Sequence, residues 1–169
     1  MLTTALLVLA AAAGPAADPA AAEVGAYKLT LATLRKADRM HAALAAAVAA
    51  DPALRARLEP LAPGDDEVEG EARSLDAVVA ELESVPELKR ALGDAGLTAR
   101  EYVVFSLALL SAGLAEYALE QGGKLPPDAP PALAANVAWY KANRAEVERF
   151  TREIRQLRPD DEGEDEDGE

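Results

Sequence analysis

Apolar residues recur every three or four positions along most of this chain, the period of helices that each cover one face. Tyr27, Leu31, Leu34, Ala37, His41, Leu44 and Val48 line up in this way between Val24 and Ala50, a stretch with no proline and with Gly25 as its one glycine. Asp51-Pro52 stops that helix and starts a short one over residues 53–59. Aspartate can cap free backbone N–H groups, and proline is tolerated at a first helical position. Residues 60–70 read as a linker. Ser74 then opens a segment in which Leu75, Val78, Val79 and Leu82 share a face. Ser84-Val85-Pro86-Glu87 has the spacing of a capping box for a further short helix, which Gly93 and Gly96 end.

The clearest local signal is Thr98-Ala99-Arg100-Glu101, a capping box placed directly before an apolar run. Residues 102–115 carry no charge, a length that suits a buried core helix better than a membrane span of about 20 residues. The circumference divides into a bulky face (Val103, Leu107, Leu110, Leu114, Tyr117) and a small one (Ala108, Ser111, Ala115, Ala118). Apolar character all round predicts neighbours all round, so this is expected to be the central helix, with the small face permitting a close approach. Gly122-Gly123 ends it, and a proline-rich connection over residues 125–131 follows.

The last helix is predicted over residues 131–157. Leu133, Tyr140, Val147 and Ile154 fall at steps of seven, and so do Asn136, Asn143, Phe150 and Leu157, which together make one a/d-type seam. Long helices near 24–50, 98–121 and 131–157, with a broken fourth near 74–93, predict an all-α fold. The expected arrangement is an antiparallel up-and-down bundle of four main helices with a short extra helix.

Composition agrees, since the 169 residues are rich in alanine and leucine and only 4% aromatic, which favours helix packed on helix over a sheet. Cysteine is absent, which removes disulfides, thiolate metal sites and a cysteine nucleophile. The net charge of −13 is local. Residues 65–71 hold five acids and residues 159–169 hold eight, with no base in either, and the rest of the chain balances 17 acidic against 17 basic residues. No Lys/Arg stripe offers itself to phosphates, so nucleic-acid binding is not expected, and an anionic membrane surface would be repelled.

Ala5 to Ala13 form a short apolar run, followed by Gly14-Pro15 and a small-residue stretch ending Ala20-Ala21-Ala22. This has the form of a secretory signal peptide cleaved after Ala16 or after Ala22, although Met1-Leu2-Thr3-Thr4 supplies no Lys or Arg. The run is too short to span a bilayer. The expected plan is a signal peptide over 1–22, a helical bundle over 23–158 and a disordered acidic tail over 159–169, in an exported protein of the periplasm or exterior.

Candidate chemistry is sparse. His41 is the one imidazole, and Asp38 three residues earlier makes half of the acid–histidine motif of di-iron bundles. The second half is missing. A metal- or haem-binding bundle using His41 with Asp38 is therefore the alternative function, and no cofactor is expected in the first reading. Asn136 and Asn143 are polar groups on a buried seam and must find partners, because a buried unpaired amide costs about 1–3 kcal/mol. They either fix helix register or, with Trp139 and Tyr140, line a small pocket for an organic ligand. Glu101 and Glu116 lie about 22 Å apart along one helix and cannot share a substrate. Asp165-Glu166-Asp167-Gly168 is similar to a calcium-loop fragment, but the distal glutamate of such a loop is missing, which leaves a solubilising tail.

Residues 84–150, with the Leu97-Thr98-Ala99-Arg100-Glu101-Tyr102 block and the Pro-Ala-Leu-Ala-Ala-Asn136-Val137 approach to the last helix, resemble small exported helical bacterial proteins of unassigned activity. The resemblance covers under half of the chain. It implies an envelope location and a helical fold and carries no catalytic residue. The expectation is a non-enzymatic exported bundle that binds a partner protein or a small ligand.

Overall fold

The computed structural model describes residues 19–58 and 74–157, and these form eight helices with no strand among them. They are α1 (Pro19–Ala26), α2 (Leu31–Ala50), α3 (Ala53–Leu58), α4 (Leu75–Ser84), α5 (Pro86–Ala95), α6 (Ala99–Glu120), α7 (Leu133–Ala142) and α8 (Arg144–Leu157). The all-α class is as expected from the sequence. The apolar run Ala5–Ala13, the acidic segment 65–71 and the acidic tail lie outside the described residues. Four residues of the segment assigned to the signal peptide, 19–22, belong to α1.

Most helix boundaries follow from local chemistry. Thr30, Ser74 and Thr98 each accept a hydrogen bond from the backbone N–H three residues on, which closes the start of α2, α4 and α6. Gly96, with φ of 74°, ends α5 in the left-handed conformation that glycine adopts without cost. The expected box at Ser84 does not form. Ser84 is the last residue of α4 and its hydroxyl donates to the Glu81 carbonyl, while Val85 and Pro86 start α5 without a side-chain cap.

Two expected long helices are each broken. Residues 27–30 separate α1 from α2, although nothing in that stretch is a helix breaker. Beyond the Thr30 cap, the support for the break is distant in sequence. Asn136, on α7, accepts a hydrogen bond from Leu29 N–H at 3.0 Å and donates to the Tyr27 carbonyl at 2.8 Å. These are backbone groups that an uninterrupted helix would satisfy internally. The last helix breaks at Asn143, whose N–H closes the end of α7 on Trp139 and Tyr140 while its carbonyl accepts the first bond of α8 from Val147.

Two helices organise the packing. α6 lies against α1, α4, α5 and α7, and α2 lies against α3, α5 and α8. α2 and α5 are antiparallel, since Lys36 and Arg39 lie by Gly96 and Ala95 while Arg57, just beyond α2, reaches Glu87 at the start of α5. α6 and α7 are not. Glu23 of α1 pairs with Arg100 at the start of α6, and Gly25 of α1 accepts from Ala132 at the start of α7. At the other end Glu116 and Glu120 of α6 meet Lys141 and Arg144. The pair therefore runs in parallel, and a strict up-and-down path does not hold here. The long connection over residues 121–132 carries the chain back along α6. At Gly113 the two helices come close enough that a Cβ would sit 3.2 Å from the Tyr140 ring.

The main core gathers Leu34, Ala37 and Met40 of α2, Leu88, Ala91 and Leu92 of α5, Phe105, Ala108 and Ala112 of α6, and Val147 and Phe150 of α8. A smaller cluster joins Leu75, Val103 and Val104, with Ala20 and Val24 of α1 and Val78, Val79 and Leu82 of α4 packed around it.

Candidate functional site

His41 projects from α2 into the junction of α6 and α8. Its Nε2 shares a hydrogen bond of 3.0 Å with the Tyr102 hydroxyl, and its ring stands edge-on to Phe150 with centroids 5.5 Å apart. Burial lowers the His41 pKa from 6.5 to about 4, against the opposing pull of the Asp38 carboxylate, and burial pushes Tyr102 up. Asp38 is held by Arg149 of α8 at 2.6 Å. His41 Nδ1 and Asp38 Oδ1 are enclosed without a hydrogen-bond partner among the described residues. The imidazole is thus a neutral core group at ordinary pH and the carboxylate is an ion-pair partner. No group of three or more His, Asp or Glu able to hold a metal occurs among the described residues, and the neighbouring Met40 is turned into the core at 1% exposure.

The four residues expected to line a ligand pocket are placed on α7 and at its end, with other engagements. Asn136 is the clamp on residues 27–29 described above, and Asn143 Nδ2 donates to the Trp139 carbonyl at 2.7 Å. Trp139 and Tyr140 pack half-buried against the main core. The Asn136 amide and the Asn143 Nδ2 group are thus engaged with backbone.

Glu116 is 4% exposed and paired with Arg144 and with Lys141 at 3.9 Å. Breaking such a buried pair by removing one partner is strongly destabilising.

The feature that differs most from expectation is the outer face of α6. Its inner side buries Phe105, Ala108, Leu109, Ala112 and Glu116. The opposite side carries Leu107 (41% exposed), Leu110 (53%), Leu114 (51%) and Tyr117 (59%). The bulky face, expected to be covered, is therefore open beyond Val103. Of the expected small face Ala108 is buried and Ala118 is exposed, and the close approach of α7 falls at Gly113 instead. The 3-4-3 spacing from 107 to 117 was the available signal, but a helix apolar all round does not say which side lacks a neighbour. Among the described helices α6 alone is long and apolar enough to cross a membrane, with a mean hydropathy of 1.6, and 39% of that stretch is buried within the fold.

No family model, curated protein or solved structure matches the chain.

Two outcomes follow from these contacts. A group with a folded pKa of about 4 and an unfolded value of 6.5 contributes stability that is complete above pH 6.5 and is lost as pH falls toward 4. At about 1.4 kcal/mol per pH unit this amounts to about 3 kcal/mol. Urea unfolding at pH 7 and pH 4 is expected to show that extra loss in the natural chain and not in His41→Phe. Asn136→Ala leaves Leu29 N–H and the Tyr27 carbonyl unpaired and is expected to lower the unfolding free energy by about 2–4 kcal/mol.

Proposed function

We propose that this protein is an exported, non-enzymatic helical scaffold that binds a partner protein through the outer face of α6. The observation that carries this reading is the row Leu107, Leu110, Leu114 and Tyr117, four large apolar side chains in line on one solvent-facing side of a central helix. Scattered apolar residues on a surface need no explanation, but a contiguous row is the form a binding face takes. The row spans about 15 Å at 1.5 Å per residue, and its spacing is that of an a/d seam, which fits the apolar face of a helix.

The scaffold proposed beneath it is a four-rod bundle in which α1 with α2, α4 with α5, α6 alone, and α7 with α8 occupy the places of four long helices. Export rests on the apolar run Ala5–Ala13 and its small-residue flank. A protein partner is favoured over a small ligand because the amides of Asn136 and Asn143 are engaged with backbone. It is favoured over a lipid surface because the net charge of −13 opposes anionic membranes. The metal or haem alternative gains no support from Asp38 and His41, which are bonded to Arg149 and Tyr102.

The test is the double variant Leu110→Glu/Leu114→Glu. Both side chains are exposed, so its unfolding free energy is expected to stay within about 1 kcal/mol of the natural chain. Site-specific photo-crosslinking from position 107 in the cells that make the protein is expected to yield a defined protein adduct. That adduct should fall by about tenfold or more in the double variant, the size of a lost hot spot. Equal adducts in both chains, or adducts to lipid alone, contradict the reading.

A further inference from the structure

The open part of the α6 row has defined ends. Val103 stands on the same line four residues before Leu107 but is 7% exposed, because Ala20 and Val24 of α1 and the apolar residues of α4 pack around it. At the other end α6 stops at Glu120, three residues after Tyr117. Between these ends Leu107, Leu110, Leu114 and Tyr117 are spaced 3-4-3. That order reads the same in both directions. A two-fold axis at the level of residue 112 therefore sets the row upon itself, with Leu107 across from the partner's Tyr117 and Leu110 across from the partner's Leu114.

Charge allows the match. With the row as an a/d seam, the flanking e and g positions are Ser106, Ser111, Gly113 and Ala118. Charges at such positions choose between partners in a helical seam, and like charges there repel an identical helix. Here all four are uncharged and small, so nothing selects a chain of opposite charge and nothing repels a second copy. The Ser111 hydroxyl, beside the axis, already donates to the Leu107 carbonyl at 2.8 Å and does not depend on water for a partner.

The ends decide the sense of the pairing. In a parallel pair the cover that α1 and α4 form over Val103 would meet its counterpart before the two seams touched. In an antiparallel pair each cover stands beside the place where the partner's α6 stops. The seam is about 15 Å long and offers eight large, half-exposed side chains over two copies. At roughly 100 Å² apiece, and with the flanking small residues, about 1,000 Å² is buried, which is the lower end of specific interfaces and suits a reversible dimer.

Building on the reading of the α6 row as a docking face, we propose that its partner is a second copy of this chain, and that two copies pair reversibly through an antiparallel α6–α6 contact along Leu107, Leu110, Leu114 and Tyr117. A two-fold contact is closed, so the apolar row is consumed at the dimer and does not propagate. Each copy carries a net charge of −13, which opposes the approach, so salt strengthens the pair by screening.

The test is sedimentation equilibrium of the full chain over about 1–300 µM. The expected result is a monomer–dimer equilibrium with a micromolar Kd, tightening about two- to fivefold between low and high salt. Leu110→Glu/Leu114→Glu is expected to weaken it by about a hundredfold or more, because each substitution is met twice across the axis. Tyr117→Lys, at the end of the seam, serves as a second variant, with helical circular dichroism checking the fold of both. A monomer at every concentration overturns the proposal, and so does a dimer that survives in both variants. The sense of the pair is read from disulfides, since the chain has no cysteine of its own. Leu110→Cys mixed with Leu114→Cys is expected to give the mixed disulfide about tenfold faster than either variant gives its own. Faster self-disulfides overturn the antiparallel arrangement. The photo-crosslinked adduct from position 107 is expected to have the mass of two chains. An adduct of another mass overturns the second copy and leaves the docking face standing, whereas no adduct removes both.

Discussion

The inner face of α6 meets α2 and α8 through aromatic rings, and the rest of the fold is arranged around that contact. Phe105 has no exposed surface and stands at 67° to Phe150 of α8, with centroids 6.2 Å apart. Phe150 in turn faces His41 of α2, which bonds to Tyr102 one turn before Phe105 on α6. In a chain built so largely from alanine, these rings supply the bulk that small side chains cannot, and edge-to-face pairs contribute about 0.5–1.5 kcal/mol beyond their area. The small residues Ala108 and Ala112 then let neighbouring helices close in on the same side. Because bulk is concentrated at one junction, the opposite side of α6 is left without a layer of its own.

Much of this was legible in the sequence. The caps at Ser74 and Thr98, the stop at Gly96, the short helix after Pro52 and the burial of Val147 and Phe150 on one seam each follow from residues within a few positions of one another. The breaks at 27–30 and at 143 were not legible, for a physical reason. The amide that replaces helical hydrogen bonds at Tyr27 and Leu29 belongs to Asn136, more than a hundred residues away, and local periodicity is unchanged by it. The sequence offers Asn136 either a register role or a ligand role, whereas in the structure its amide holds the turn between α1 and α2. The direction of α7 along α6 was equally hidden, since a twelve-residue connection permits either sense.

The outer row of α6 is readable in the sequence as spaced residues but not as an exposed surface. Leu107, Leu110, Leu114 and Tyr117 are at helical spacing in the sequence, but burial depends on how many helices surround α6, and α1 and α4 cover its first turns only. The chain's unbalanced acidity belongs to segments 65–71 and 159–169 of the sequence, while the helices themselves carry equal numbers of acids and bases. An exposed row of leucines is unusual on a folded surface.

The central claim is that α6 is anchored on its inner side by Phe105 while its outer side bears no load in the fold. The unfolding free energy of Phe105→Ala tests it most directly. The account predicts a loss of about 3–5 kcal/mol, the cost of removing a fully enclosed aromatic ring. A loss below about 1 kcal/mol would place Phe105 in the class of surface substitutions and contradict the arrangement of the whole core.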